Sequence, residues 1–214
     1  MMARTQTCRL CQNTMDFYAN TRDRDYYRCP NCDSIQLSIQ QLLPKDLEEK
    51  RYQLHNNDVN DLGYQSFVSP ITDYVFNKLE SKHMGLDFGA GPGPVITKIL
   101  RKHAYHIDLY DPYFHPQQDL LDKTYDYIIA CEVIEHFNQP KQTFDQLYAL
   151  TKRHGLWIFM TELYHDDIDF SSWYYKNDET HVIFYTRKTM SYIEKTYDLE
   201  RLELKGRLIV FKKR

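Results

Sequence analysis

A chain of 214 residues has room for one core of ordinary size and a small appendage. Its composition is globular, with 42% hydrophobic and 14% aromatic residues, and its formal net charge is -3. Split after Leu43, the first part carries five Arg against four Asp and the rest 22 basic against 26 acidic groups, so neither has the basic excess that a phosphate backbone attracts.

The first 43 residues are short polar and aromatic pieces between cysteines. Cys8-x2-Cys11 and Cys29-x2-Cys32 stand 17 residues apart, the spacing of a four-thiolate zinc site. Each pair bends into a knuckle whose sulfurs converge, and two knuckles make a tetrahedron. A closed site of this kind is structural or a docking module, and residues 1–43 are expected to be a zinc-ribbon-like segment. A redox pair or a site without metal is the other reading. No apolar run approaches the roughly 18 residues of a membrane span, and no N-terminal stretch has signal-peptide character. The expectation is a soluble cytoplasmic protein, where disulfides are a poor default.

Residues 44–214 alternate helical and strand patterns. A charged helix is expected from Lys45 to about His55, then a polar break from Asn56 to Gly63. Ser69-Pro70 reads as an N-cap with proline in the first turn, ahead of a face made by Ile71, Tyr74, Val75 and Leu79. Met84 to Phe88 reads as a strand, Pro94 as a helix start, and His106 to Tyr110 and Tyr125 to Cys131 as two more strands. Pro140 opens a helix that Gly155 can end, and Leu156 to Thr161 is a further strand. A helix at about Lys188 to Tyr197 precedes a hairpin, Leu199–Leu204 and Arg207–Lys212, turned by Lys205-Gly206. The alternation implies an α/β fold: a Rossmann-like, doubly wound, mainly parallel sheet, with the hairpin adding an antiparallel strand.

Three of the seven glycines fall within Gly89-Ala90-Gly91-Pro92-Gly93, between a strand and a helix. Glycine permits the tight turn and the close approach of a ligand, and the helix N-terminus behind it favours an anionic group. A dinucleotide fingerprint needs Gly or Ala where Pro94 stands, and Asp87 just before the loop repels a pyrophosphate. S-adenosylmethionine (SAM) carries an amino group and a sulfonium, which Asp87 attracts. Asp111, 18 residues after Gly93 and followed by Pro112, ends the second strand, where a carboxylate can accept both ribose hydroxyls. Its other reading is a turn cap.

These pieces, with Tyr125–Phe137 and Gly155–Thr161, resemble the class I SAM-dependent methyltransferases, most of all small bacterial enzymes of the ubiquinone-biosynthesis O-methyltransferase type. The cysteine segment resembles the zinc-binding front end of sugar C-methyltransferases. The resemblance implies that Gly89, Ala90, Gly91 and Gly93 meet the methionine part, that Asp111 meets the ribose, and that Cys131 and Glu132 lie on the methionine or substrate side. One departure stands out: only fourteen residues separate Asp111 from Asp126, too few for the helix and strand that relatives place there. Tyr113 and Phe114 are candidates to stack on the adenine.

For the acceptor side the sequence offers Glu132-x2-Glu135-His136 and the stretch Trp173 to His181. Either the aromatics form a pocket around catalytic histidines, or they are core and the histidines structural. His181, or failing that His136, is the candidate proton acceptor for a hydroxyl or amine, or the group that orients the substrate. The expected function is methyl transfer to a small-molecule acceptor. Two alternatives stay open. Glu132, Glu135, His136 and His181 also resemble the metal-binding pattern of small-RNA terminal 2′-O-methyltransferases, although the charge does not favour nucleic acid. The chain can also be a non-catalytic protein that binds SAM and docks a partner through its ribbon.

Overall fold

The computed structural model describes residues 5–53 and 58–214. It has two sheets. The first begins with β1 (Thr5–Thr7), β2 (Thr14–Thr21), β3 (Arg24–Arg28) and β4 (Ile35–Leu37), all antiparallel neighbours in that order. The knuckles turn in the left-handed region at Gln12 (φ 64) and Asp33 (φ 65), just past the second cysteine of each pair. A short charged helix, α1 (Lys45–Gln53), follows. Its expected continuation through His55, and the start of the polar break at Asn56, lie outside the described residues.

The helix α2 (Leu62–Lys78) begins earlier than the sequence predicts. Asp61 is its N-cap, with its carboxylate accepting from the backbone of Gly63 (2.7 Å) and Tyr64 (3.4 Å). Pro70 therefore sits inside the helix, not in its first turn. It removes the one ladder bond that residue 70 would give Ser66, and burial of Val68, Ile71 and Val75 outweighs that loss.

The second sheet holds β5 (Met84–Phe88), β6 (His106–Tyr110), β7 (Tyr125–Cys131) and β8 (Thr151–Met160), with α3 (Val95–Lys102) and α4 (Pro140–Leu150) as crossovers. The strand β9 (Ile183–Phe184), α5 (Arg187–Thr196), β10 (Leu199–Lys205) and β11 (Leu208–Lys213) complete the chain. The sheet runs β10-β11-β8-β7-β5-β6. The central pairs are parallel, and β11 lies antiparallel between β8 and β10. This is the expected doubly wound arrangement with its terminal hairpin. In the short segment after Asp111 one 3-10 turn (Gln118–Asp122) leads back to β7, and β6 lies at the sheet edge.

Two further boundaries differ from the sequence reading. Gly155 does not end α4. The helix stops at Leu150 because Thr151 turns extended, and its hydroxyl donates to Leu147 O (2.6 Å) and accepts from the Trp157 indole (2.7 Å). Gly155 lies within β8, where a Cβ would come within 2.8 Å of the Thr151 methyl. The hairpin turns on Gly206 and Arg207, with Gly206 at φ 57.

The cysteine-bearing sheet is not closed on itself. Its strand β4 pairs with β9, so the first sheet takes its fifth strand from residues 183–184. Arg9 reinforces the junction by donating to the carbonyls of Leu37 (3.2 Å), Asn138 (3.1 Å) and Val182 (2.8 Å). Among the described residues no helix is long and apolar enough to cross a membrane.

Candidate functional site

The carboxyl ends of β5, β6 and β7 open into a cavity of about 830 Å³. Its wall includes four separated stretches that the sequence singled out: Asp87 with Gly89, Ala90, Gly91 and Gly93; Asp111 with Pro112; Cys131, Glu132 and His136; and His181. All eleven of these candidate cofactor and catalytic residues therefore line one space.

The glycine loop is held by its own backbone. Gly89 N donates to Tyr110 O (2.8 Å) at φ 79, and a Cβ there would come within 2.5 Å of Val133. Gly91, at φ 64, donates to the Asp111 carboxylate (2.9 Å). The backbones of Tyr113 (2.9 Å) and Phe114 (3.0 Å) also donate to Asp111. Asp111 thus caps the turn after β6 and clamps the glycine loop, while still facing the cavity. Asp87 is buried and accepts from the Thr97 hydroxyl (2.7 Å). Burial pushes its carboxyl up to about 6, against the pull of that bond.

On the opposite wall Glu132 leaves β7 at φ 52. One carboxylate oxygen accepts from Arg207 (2.8 Å) and the Tyr175 hydroxyl (3.0 Å). Its other oxygen is buried and has no hydrogen-bond partner among the described residues. Glu135 is fully buried behind the cavity lining, bonded by Tyr175 and by the Thr161 hydroxyl (3.1 Å). Burial, reinforced by Glu132, pushes it up to about 8. Tyr175 thereby bridges both carboxylates. Cys131 is a cavity-lining thiol raised well above its ordinary range by burial.

His136 and His181 meet edge to face, with ring centres 4.7 Å apart. The Nδ1 of His136 donates to Thr180 O (3.0 Å) and that of His181 to Tyr175 O (2.6 Å). A carbonyl only accepts, so each ring holds a proton on Nδ1, and Nε2 is the nitrogen that can gain or lose one. His181 Nε2 is 4.0 Å from Glu135, and one ligand atom from each of Glu135, His136 and His181 lies within 4.8 Å of the others.

Of the two readings of the aromatic stretch, the burial of its rings favours core over pocket. Trp173, Tyr175 and Phe184 are buried in a cluster with Phe170, and Tyr174 is exposed; of the stretch from Trp173 to His181, His181 alone among the described residues reaches the cavity. The aromatics that do line it are Tyr52, Tyr64, Phe67, Phe88, Tyr110, Tyr113, Phe114 and Phe137. Sequence reasoning missed Glu48 and Tyr52 of α1, Asn138, and Arg207, because a charged helix and a hairpin turn carry no signal of where they dock.

The four sulfurs of Cys8, Cys11, Cys29 and Cys32 lie within 4.8 Å of one another. Cys8 and Cys32 are 3.6 Å apart, and Cys11 and Cys29 3.3 Å. Zinc at about 2.3 Å from each sulfur requires tetrahedral edges of about 3.8 Å, close to these values. The hydrogen bond from Cys32 pulls the Cys8 thiol down, while the same bond raises Cys32 and burial raises Cys29, so the support for a metal here is the geometry of the four sulfurs.

Comparison with known proteins agrees with this geometry. The methyltransferase domain family matches residues 62–204. No curated protein matches the chain in sequence. Among solved structures, a Burkholderia thailandensis 1,6-didemethyltoxoflavin-N1-methyltransferase is 11% identical, covering 92% of this chain and 98% of its own, with a TM-score of 0.56. A Pyrococcus horikoshii OT3 protein is 16% identical over 77% of this chain and 99% of its own, at 0.54. The magnesium protoporphyrin IX methyltransferase of Synechocystis PCC 6803 is 12% identical over 79% and 92%, at 0.52. These likenesses carry the fold, and the family match covers most of the chain: it belongs to the methyltransferase domain family and is a class I SAM-dependent methyltransferase.

Proposed function

We propose that this enzyme transfers a methyl group from SAM to a hydroxyl or amine of a small molecule held in the 830 Å³ cavity. The observation that carries the reading is the convergence of all eleven candidate residues, from four stretches of chain, on that one space. Bound there, SAM supplies an electrophilic methyl group. The Gly89–Gly93 backbone and the N-terminus of α3 hold its carboxylate, Asp87 its amino group, and Asp111 its ribose hydroxyls. Tyr113 and Phe114 offer rings for the base. The enzyme's remaining work is alignment, exclusion of water and removal of one proton. His181 Nε2, with His136 beside it, accepts that proton. The four cysteines hold a structural zinc, and residues 1–43 form a ribbon docked on the 44–214 methyltransferase domain. Thiol cysteines fit a cytoplasmic setting.

The close grouping of Glu135, His136 and His181 favours a second reading, a divalent cation that binds the acceptor's hydroxyls, as a terminal RNA ribose would offer. The net charge of -3 weighs against RNA.

The test is product mass after incubation with SAM and a cell extract, against a Gly91→Arg control, together with calorimetry of SAM, S-adenosylhomocysteine and NAD. His181→Ala should lower turnover and leave SAM affinity nearly intact. Binding of SAM with no methylated product identifies a non-catalytic protein. Loss of turnover on brief chelation, restored by magnesium or manganese, establishes the cation and removes His181 as the base.

A further inference from the structure

The helix α1 is unusual in what it buries. Over Lys45–Gln53 its one buried residue is a carboxylate, Glu48, 8% exposed, while Leu47 faces solvent. A buried carboxylate persists only where donors satisfy it. Glu48 has three among the described residues: the hydroxyls of Tyr52 (2.9 Å) and Tyr113 (3.1 Å) and the amide of Asn138 (3.4 Å).

These donors come from both halves of the site. Tyr113 follows the Asp111-Pro112 corner, on the side assigned to the cofactor. Asn138 follows His136, on the side assigned to the acceptor. Tyr52 packs at 5.4 Å from the Tyr113 ring and at 5.4 Å from that of His136. Arg51 pairs with Asp178 (3.4 Å), three residues before His181. Lys45, Glu48 and Tyr52 all line the cavity. One short helix thus spans the opening from rim to rim. It also contacts Tyr113, at the start of the short segment that links β6 to β7.

We propose that α1 is a cap over the reaction cavity, and that Glu48 is the positioning residue that ties it at once to the cofactor-side Tyr113 and the acceptor-side Asn138. The inference rests on the reading that this cavity binds SAM. A helix of nine residues is too short to be stable alone, and this one is attached by polar contacts in place of an apolar face. Such an attachment can open and re-form without exposing a core. Closing it shields the two ligands from water together. Because one carboxylate holds a residue from each half, occupation of the cofactor half steadies the acceptor half.

The test is amide hydrogen exchange on the whole chain, with and without S-adenosylhomocysteine. Residues 45–53 should exchange at least about tenfold more slowly with the ligand bound. Glu48→Ala should abolish that protection and weaken S-adenosylhomocysteine about tenfold, a loss on the scale of one hydrogen-bonded contact. Glu48→Gln, which keeps one acceptor oxygen, should fall between them, and exchange in the sheet core should be alike in all three. If Glu48→Ala does not fold, Tyr113→Phe and Asn138→Ala each remove one tie and serve the same comparison. Ligand binding that leaves exchange in residues 45–53 unchanged, with the variants binding as wild type does, overturns the cap alone. A wild-type chain that binds no S-adenosylhomocysteine overturns the cofactor reading and the cap with it.

Discussion

Gly89 and Asp87 show how closely single positions are specified at this site. A side chain at Gly89 meets two obstacles, a φ of 79 and a Val133 methyl 2.5 Å from any Cβ. Gly89→Ala should cost about 1–3 kcal/mol of stability, read by denaturant unfolding, and should abolish measurable cofactor binding by displacing the loop. Asp87 has a pH signature. Its carboxyl is raised to about 6 by burial, above the usual value near 3.9. The folded state therefore holds the proton more tightly, and this group's share of stability is lost as pH rises from about 4 through 6. Cofactor binding runs the other way, since only the ionised carboxylate pairs with an amino group. SAM affinity should fall as pH drops below about 6, and Asp87→Asn should flatten that profile. An unchanged profile in the variant would remove Asp87 from the cofactor site.

At the scale of elements, two contacts decide how the pieces are held. Pro70 interrupts α2, which Asp61 caps and a buried face stabilises. Pro70→Ala restores a donor to Ser66, and the gain should exceed the roughly 0.4–1 kcal/mol lost through a freer unfolded chain. Thermal unfolding should show a higher midpoint. Arg9 joins the cysteine-bearing sheet to the cavity wall through the carbonyls of Leu37, Asn138 and Val182. Arg9→Ala leaves those acceptors without their charged donor, at a cost of about 2–4 kcal/mol in denaturant unfolding. It should also raise the acceptor KM, because Asn138 and Val182 flank His136 and His181.

Across the whole molecule, the cysteine cluster and the cavity are joined through β4 and β9, whose second residue, Phe184, lies three places after His181. Elemental analysis of the purified protein should give about one zinc per chain, and fewer than about 0.2 with thiols reduced would remove the zinc assignment. Stripping that zinc should lower the thermal midpoint and, by loosening β9, the turnover as well. Most of the fold could be read from the sequence because its signals are local. Periodicity marked β5, β6 and β7, the glycines marked the loop, and the paired cysteines marked the knuckles. The short segment between Asp111 and Asp126 was also legible, because the fourteen residues there leave room for little more than a turn. Helix limits were misread where two local signals compete, as at Asp61 and Pro70, or where a glycine serves packing, as at Gly155. Tertiary structure alone decided that the Trp173 cluster is core and that the cysteine-bearing sheet takes a strand from residues 183–184. It also decided that Glu48, Asn138 and Arg207 stand at the cavity or against its acidic residues. These outcomes depend on which distant segments meet, and a strand, a charged helix or a turn looks the same in sequence whatever it docks against.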